Sequence, residues 1–228
     1  MQQNKRNILL LFLSIAAGCV DGISFVSAGF FPANMTGNCV VLALAILHLG
    51  SISILYTALA LLGYCLGAAF GSHLIHSPNA DHKWSPRISI TIFIAGIILL
   101  SSASVVWISG MHYLPILVIA SAFAMGMQSA AVLRLGVSGV ATIVVTGTLT
   151  TAITRIVEDV HRGVNDKSPS KEGPWLPSLS WLAYFLGAFL GGVQNRFHMN
   201  AIIALPGFLL VGIALIAGFS KRESKSET

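Results

Sequence analysis

The chain has 228 residues, of which 55% are hydrophobic and only 9% charged, where an ordinary soluble domain carries about a quarter charged residues. A mean hydropathy of +0.81 leaves too little polar surface for a water-soluble fold, and the composition excludes a disordered chain, a disulfide scaffold and a coiled coil as well. The net charge of +5 would suggest a nucleic-acid partner on a soluble protein; here the Lys and Arg residues flank apolar runs and report membrane topology instead.

The first element begins after Lys5 and Arg6 and runs apolar from Ile8 to about Phe31. Its Ala16-Ala17-Gly18-Cys19 segment imitates a lipoprotein signal, but the apolar run continues past the cysteine for long enough to span a bilayer, so it reads as an uncleaved helix. Further apolar stretches lie at about 36–49, 52–76, 88–110, 113–133, 140–157, 178–195 and 200–219. The second is short, roughly 21 Å of helix against a hydrocarbon core of about 30 Å. The sixth is interrupted by Gly139 and Gly147 and is threonine-rich, with Thr142, Thr146, Thr148, Thr150, Thr151 and Thr154. Both are predicted to be half-helices.

Two segments recur. Tyr64-Cys65-Leu66-Gly67-Ala68-Ala69-Phe70-Gly71 returns as Tyr184-Phe185-Leu186-Gly187-Ala188-Phe189-Leu190-Gly191, and Thr36-Gly37-Asn38 returns as Thr146-Gly147-Thr148. Gly18 aligns with Gly126, which sets Ser129 opposite Asp21. The pattern predicts two halves, 1–111 and 112–228. If the two short stretches enter and leave on one side, every Lys and Arg except Arg196 falls on the side of the termini; eight full spans would move Lys83, Arg87 and Arg134 across as well. The positive-inside rule favours the first arrangement, with both termini cytoplasmic. The expected fold is therefore all-α: a polytopic helix bundle of six spans plus two half-helices, arranged as an inverted repeat, with eight short spans as the alternative. Three spans per half is an odd number, so the second half inserts upside down, as in many transporters.

Broken backbone survives in hydrocarbon only where it is buried in protein or lines a polar cavity. Phe31-Pro32-Ala33-Asn34-Met35-Thr36-Gly37-Asn38 is such a break. Asn34 or Thr36 can cap the helix that follows, and its free N–H groups can hold a polar group. The second half offers Gly136, Ser138, Gly139, Thr142, Thr146, Gly147 and Thr148 for the same purpose. Asp21 is the only acidic residue within an apolar stretch; an intramembrane charge has a partner or a task, which for Asp21 is either an ion pair with Arg134 or the binding of a proton or cation. Gln128 is a candidate solute contact, with interhelical hydrogen bonding as its other reading. Gly63, Gly67 and Gly71, matched by Gly187 and Gly191, supply small faces for helix packing between the halves or at a homodimer seam. Cys19, Cys39 and Cys65 are too few and scattered, and the histidines lack the spacing, for a metal site. No cofactor motif or catalytic signature is present, so no enzyme is expected.

The motifs Val20-Asp21-Gly22-Ile23-Ser24-Phe25, Ala33-Asn34-Met35-Thr36-Gly37-Asn38, Ala122-Phe123-Ala124-Met125-Gly126-Met127-Gln128-Ser129-Ala130-Ala131 and Val145-Thr146-Gly147-Thr148-Leu149-Thr150 resemble, in order, those of the YoaK family of bacterial integral membrane proteins. Where that family often has Asn after the Gln, this chain has Ser129. The resemblance implies a bacterial inner-membrane protein and supplies no substrate. The expectation from the residues is a transporter or channel for a small polar solute or ion, working in the lipid bilayer through Asp21, Asn34, Thr36, Asn38, Gln128, Thr146 and Thr148. The competing expectation is a non-transporting scaffold or accessory subunit whose Gly-rich faces bind partner helices.

Overall fold

The structure, a computed structural model, describes residues 3–49, 53–76, 84–110, 112–136, 145–162, 175–197, 199 and 201–226. These form eight α-helices: α1 (Gln3–Ala28), α2 (Met35–Ile46), α3 (Ile54–Ile75), α4 (Pro86–Ser109), α5 (Leu114–Arg134), α6 (Val145–Arg162), α7 (Trp175–Phe197) and α8 (Ala201–Ser226). Local signals fix the ends. Asn34, Ser53 and Ser85 accept backbone N–H groups from the first turns of α2, α3 and α4, and Pro86 opens α4 where its missing donor costs nothing.

Six helices, α1, α3, α4, α5, α7 and the Ala201–Gly218 part of α8, are long and apolar enough to cross a membrane. The 12 residues of α2 extend only about 18 Å. The sixth stretch forms α6, whose 18 residues run on past the apolar stretch through Glu158 and Asp159 to Arg162, and α6 is not among the helices apolar enough to cross. Six spans are therefore favoured over eight. Large apolar side chains such as Leu62, Leu66, Phe70, Phe185 and Phe189 point outward, as a bilayer requires.

The closest approaches show which way the helices run. A Cβ on Gly63 would meet Ile119, one on Gly67 Phe123, and one on Gly71 Met127, so α3 and α5 run parallel. Gly187 meets Ile15 and Cys19 while Gly191 meets Cys19 and Ile23, so α1 and α7 run parallel too. On α4 and α8, Gly96 meets Val211 and Gly207 meets Leu100, which makes that pair antiparallel. Gln128 touches Leu13 while Ser121 and Leu117 face Val20 and Ser24 across a cavity, so α1 and α5 are antiparallel. With these directions α2 begins and ends at one face of the bundle and α6 at the other. Lys5, Arg6, Arg87, Arg134 and Arg155 lie at one end with both termini, and Arg196 at the opposite end; Lys83 lies outside the described residues.

The contacts also come in pairs. Gly18 abuts Tyr184 and Ala188, as Gly126 abuts Tyr64 and Ala68; Gly187 abuts Ile15, as Gly67 abuts Phe123; Gly191 abuts Cys19, as Gly71 abuts Met127. Each pair is related by the same exchange: α1 for α5, α3 for α7 and α4 for α8. The glycine faces are thus occupied inside the chain, between its two halves, and are not available as a seam for a second copy.

Candidate functional site

The break after α1 is built from its residues upward. Gly29, at φ +73°, ends the helix in a left-handed conformation that a side chain would resist, and its N–H donates to the Phe25 carbonyl at 2.9 Å. The chain then passes through Phe30, buried, and Phe31, whose ring stacks on Phe25 with centroids 4.5 Å apart. Asn38, with no exposed surface, clamps Phe31 from both sides: its side-chain amide donates to the Phe31 carbonyl at 2.6 Å and its Oδ1 accepts the Phe31 N–H at 2.9 Å. Asn34 accepts from the Gly37 N–H at 3.1 Å and from the Thr36 hydroxyl at 2.8 Å.

Asp21 completes the break. It is 2% exposed; the Ala33 N–H donates to its Oδ1 at 2.7 Å and the Tyr184 hydroxyl to its Oδ2 at 2.5 Å. One carboxylate thus joins α1, the irregular segment and α7. The expected pair with Arg134 is replaced by these contacts, for a geometric reason. With Leu13 beside Gln128 on antiparallel helices, Asp21 lies above that level and Arg134 below it, about 20 Å apart along the bundle at ~1.5 Å per residue. Arg134 instead borders a recess at the basic end with Ser72, Ile75 and His76.

The contact related to Asp21 and Tyr184 by the helix exchange lies between α5 and α3: the Tyr64 hydroxyl donates to the Ser129 hydroxyl at 2.9 Å, and Ser129 in turn donates to the Met125 carbonyl at 2.6 Å. Beside it Gln128, with no exposed surface, donates to the Leu13 carbonyl at 3.0 Å, and its Oε1 has no hydrogen-bond partner. Thr148, which matches Asn38 in sequence, is buried as well. The side chain of Thr146, together with Ser138, Gly139 and Thr142, lies outside the described residues.

A cavity of about 90 Å³ lies in the half of the bundle away from the basic end, between the C-terminal turns of α1 and α4 and the N-terminal turns of α5 and α8. Ser24, Ser27, Ser102 and Ser121 line it among aliphatic side chains. None of the residues expected from the sequence to contact solute lines this cavity; Asp21, Asn34, Thr36 and Asn38 build the break next to it instead. The helix exchange carries most of the cavity's lining onto core residues towards the basic end, where Ala214, the counterpart of Ala103, borders a separate recess between α4 and α8. Ser24, Ser27, Ser102 and Ser121 correspond there to Val132, Leu135, Ile213 and Leu13, and Leu99 and Leu117 to Leu210 and Leu9. All six of these counterparts belong to the main hydrophobic core, and Val20 of the cavity corresponds to Gln128. Tyr64, Tyr184 and the four serines were not singled out from the sequence as functional; the tyrosines were visible inside the repeated segment, whereas nothing marks the serines until the helices are packed.

Among the described residues no group of three or more metal-ligating side chains comes together. Residues 9–216 match the family model described as "Protein of unknown function (DUF1275)". The "UPF0700 transmembrane protein YoaK" of Bacillus subtilis (strain 168) is 29% identical over 216 residues, covering 93% of this chain and 94% of that one. No solved structure matches the chain. With the match running through all six spans and both polar contacts, this chain belongs to the DUF1275 family of integral membrane proteins.

Proposed function

We propose that this protein moves a small solute across the membrane, through a path between two inverted repeats, residues 1–111 and 112–228, in which a serine-lined mouth on one side is separated from the other side by an apolar gate. The observation that carries the reading is the pairing of the cavity with its filled counterpart. Six of the helix positions that frame an opening at one end are occupied at the other by the core residues Leu9, Leu13, Val132, Leu135, Leu210 and Ile213. Inverted repeats that frame a site and expose it alternately are a general design of transporters.

Gln128 supports the same reading. An unpaired amide oxygen buried in an apolar cluster is destabilising by about 1–3 kcal/mol, and it gains a partner once the gate opens to water or solute. The break pinned by Asp21, Asn34 and Asn38 works as positioning machinery: it satisfies the backbone donors and acceptors of an irregular segment that hydrocarbon would penalise. The mouth faces the outside and the gate the cytoplasm of a bacterial inner membrane, a reading supported by the basic residues gathered at the end that carries both termini. The scaffold alternative loses its main support, because the glycine faces that would hold a partner helix already hold the other half of the chain.

Purified protein reconstituted in liposomes and subjected to an osmotic jump in stopped flow tests the proposal. Protein-dependent acceleration of solute entry is expected for at least one small solute; entry at the rate of empty liposomes for neutral, anionic and cationic probes alike would reject transport.

A further inference from the structure

Resting on that reading, the chemistry of the cavity narrows the solute. We infer that the cavity between α1, α4, α5 and α8 is the solute's binding site and takes a small uncharged molecule rich in hydrogen-bond donors. Three observations carry this.

Size comes first. About 90 Å³, set against the roughly 150 Å³ of a cavity that binds benzene, suits a solute of about three to four non-hydrogen atoms. Charge comes second. Among the described residues no Asp, Glu, Lys, Arg or His lines the cavity, so an ion entering it would shed its hydration with no countercharge, which slows entry by roughly fifty- to a hundredfold on the mildest scale for a charge in a bilayer. Asp21, the nearest carboxylate in sequence, has both oxygens engaged by Ala33 and Tyr184.

Hydrogen-bond polarity comes third. The Ser102 hydroxyl donates to the Ile98 carbonyl at 2.9 Å and the Ser121 hydroxyl to the Val118 carbonyl at 3.1 Å. Their hydrogens are committed to their own helices, and what remains is oxygen lone pairs, which accept. Ser24 and Ser27 add two further hydroxyls on neighbouring turns of α1. Ser102 and Ser121 can only accept, while Ser24 and Ser27 can both accept and donate; on an aliphatic ground that surplus of acceptors suits an amide, a urea or a short polyol.

Matched probes separate charge from shape: urea against guanidinium, and formamide against formate, each followed by stopped-flow light scattering with the full chain in liposomes. Urea and formamide are expected to enter at least tenfold faster than their charged counterparts. The cavity-filling variants Ala103→Leu and Ser121→Leu, made separately so that one poorly folded protein does not decide the matter, are expected to slow urea by fivefold or more at unchanged protein incorporation. Guanidinium or formate crossing as fast as its neutral twin overturns the inference and leaves transport standing. Urea flux unaffected by both cavity variants, or a phospholipid acyl chain retained in the cavity while urea is excluded, also overturns it. If no probe exceeds empty liposomes, the transport reading falls and takes this inference with it.

Discussion

Replacing Gln128 by methionine separates stability from function in a way the structure makes quantitative. Methionine nearly matches glutamine in length and volume, so the core around Leu13, Leu135 and Leu210 keeps its packing. The substitution deletes one hydrogen bond, Gln128 to the Leu13 carbonyl, which between membrane helices is worth about 0.6 kcal/mol on average. It also deletes a buried carbonyl oxygen without a partner, whose cost is about 1–3 kcal/mol. The deletion outweighs the loss, leaving the closed gate more stable by about 1 kcal/mol on these figures. For a protein of this size that raises the midpoint of thermal unfolding by about 2–4 °C. The same free energy must be overcome each time the gate opens, and at ~1.4 kcal/mol per factor of ten it lowers turnover about fivefold. The assays are a thermal melt in detergent, followed through the four tryptophans of the chain, and solute flux in liposomes. A variant that melts lower than the parent, or melts higher and transports at the parental rate, refutes the reasoning that the orphaned oxygen is kept for the open state.

Three further outcomes follow from the packing. Gly187→Ala places a methyl group on the Ile15 and Cys19 backbone and should lower the melting midpoint by several degrees, since overpacking costs about 1–3 kcal/mol; Gly192→Ala, on the same helix with nothing within 4 Å of the new carbon, should leave it unchanged or higher. Tyr184→Phe removes the hydroxyl on Asp21 and Tyr64→Phe the one on Ser129; the first should destabilise more, because hydrogen bonds to carboxylates contribute about 1.5–3 kcal/mol against about 1 for neutral pairs, and equal losses in the melts would contradict that ranking. Asp21→Asn keeps an acceptor for the Ala33 N–H and should fold; if Asp21 positions the break without carrying protons, uptake of a neutral solute should show no dependence on a pH gradient in parent or variant, and a gradient dependence lost in the variant would restore a coupling role to Asp21.

The fold was largely legible because a bilayer imposes length and polarity rules with few solutions. Six runs long enough to span, a short second stretch, a recurring Tyr-x-x-Gly segment and one-sided positive charge sufficed to lay out α1 to α8. The far end of α6 lies beyond the apolar stretch, because the charged turn from Glu158 to Arg162 still carries helix. The candidate site was legible only in part. Asp21, Asn34 and Asn38 stand out as polar residues in apolar surroundings, but their partners are backbone atoms of Phe31 and Ala33 and the hydroxyl of Tyr184, which no local pattern specifies. The Arg134 pairing failed because charge complementarity in a sequence carries no depth, and the two residues sit at different levels of the bundle. The cavity was invisible for a related reason: a serine in an apolar helix looks alike whether it faces lipid, a neighbouring helix or a void.

The central claim is that positions related by the helix exchange frame a mouth on one side of the membrane and a gate on the other. Ser121 in the cavity and Leu13 in the core are such a pair. In a background with Cys19, Cys39 and Cys65 replaced by serine or alanine, single Ser121→Cys and Leu13→Cys proteins in oriented vesicles can be exposed to an impermeant maleimide from each side. The account predicts that Ser121→Cys reacts from the face opposite the termini only, and that Leu13→Cys is slow to react and does so only from the face of the termini, faster when transported solute is present. Labelling of both positions from the same face, or a Leu13→Cys protein that stays inert while solute is crossing, would contradict it.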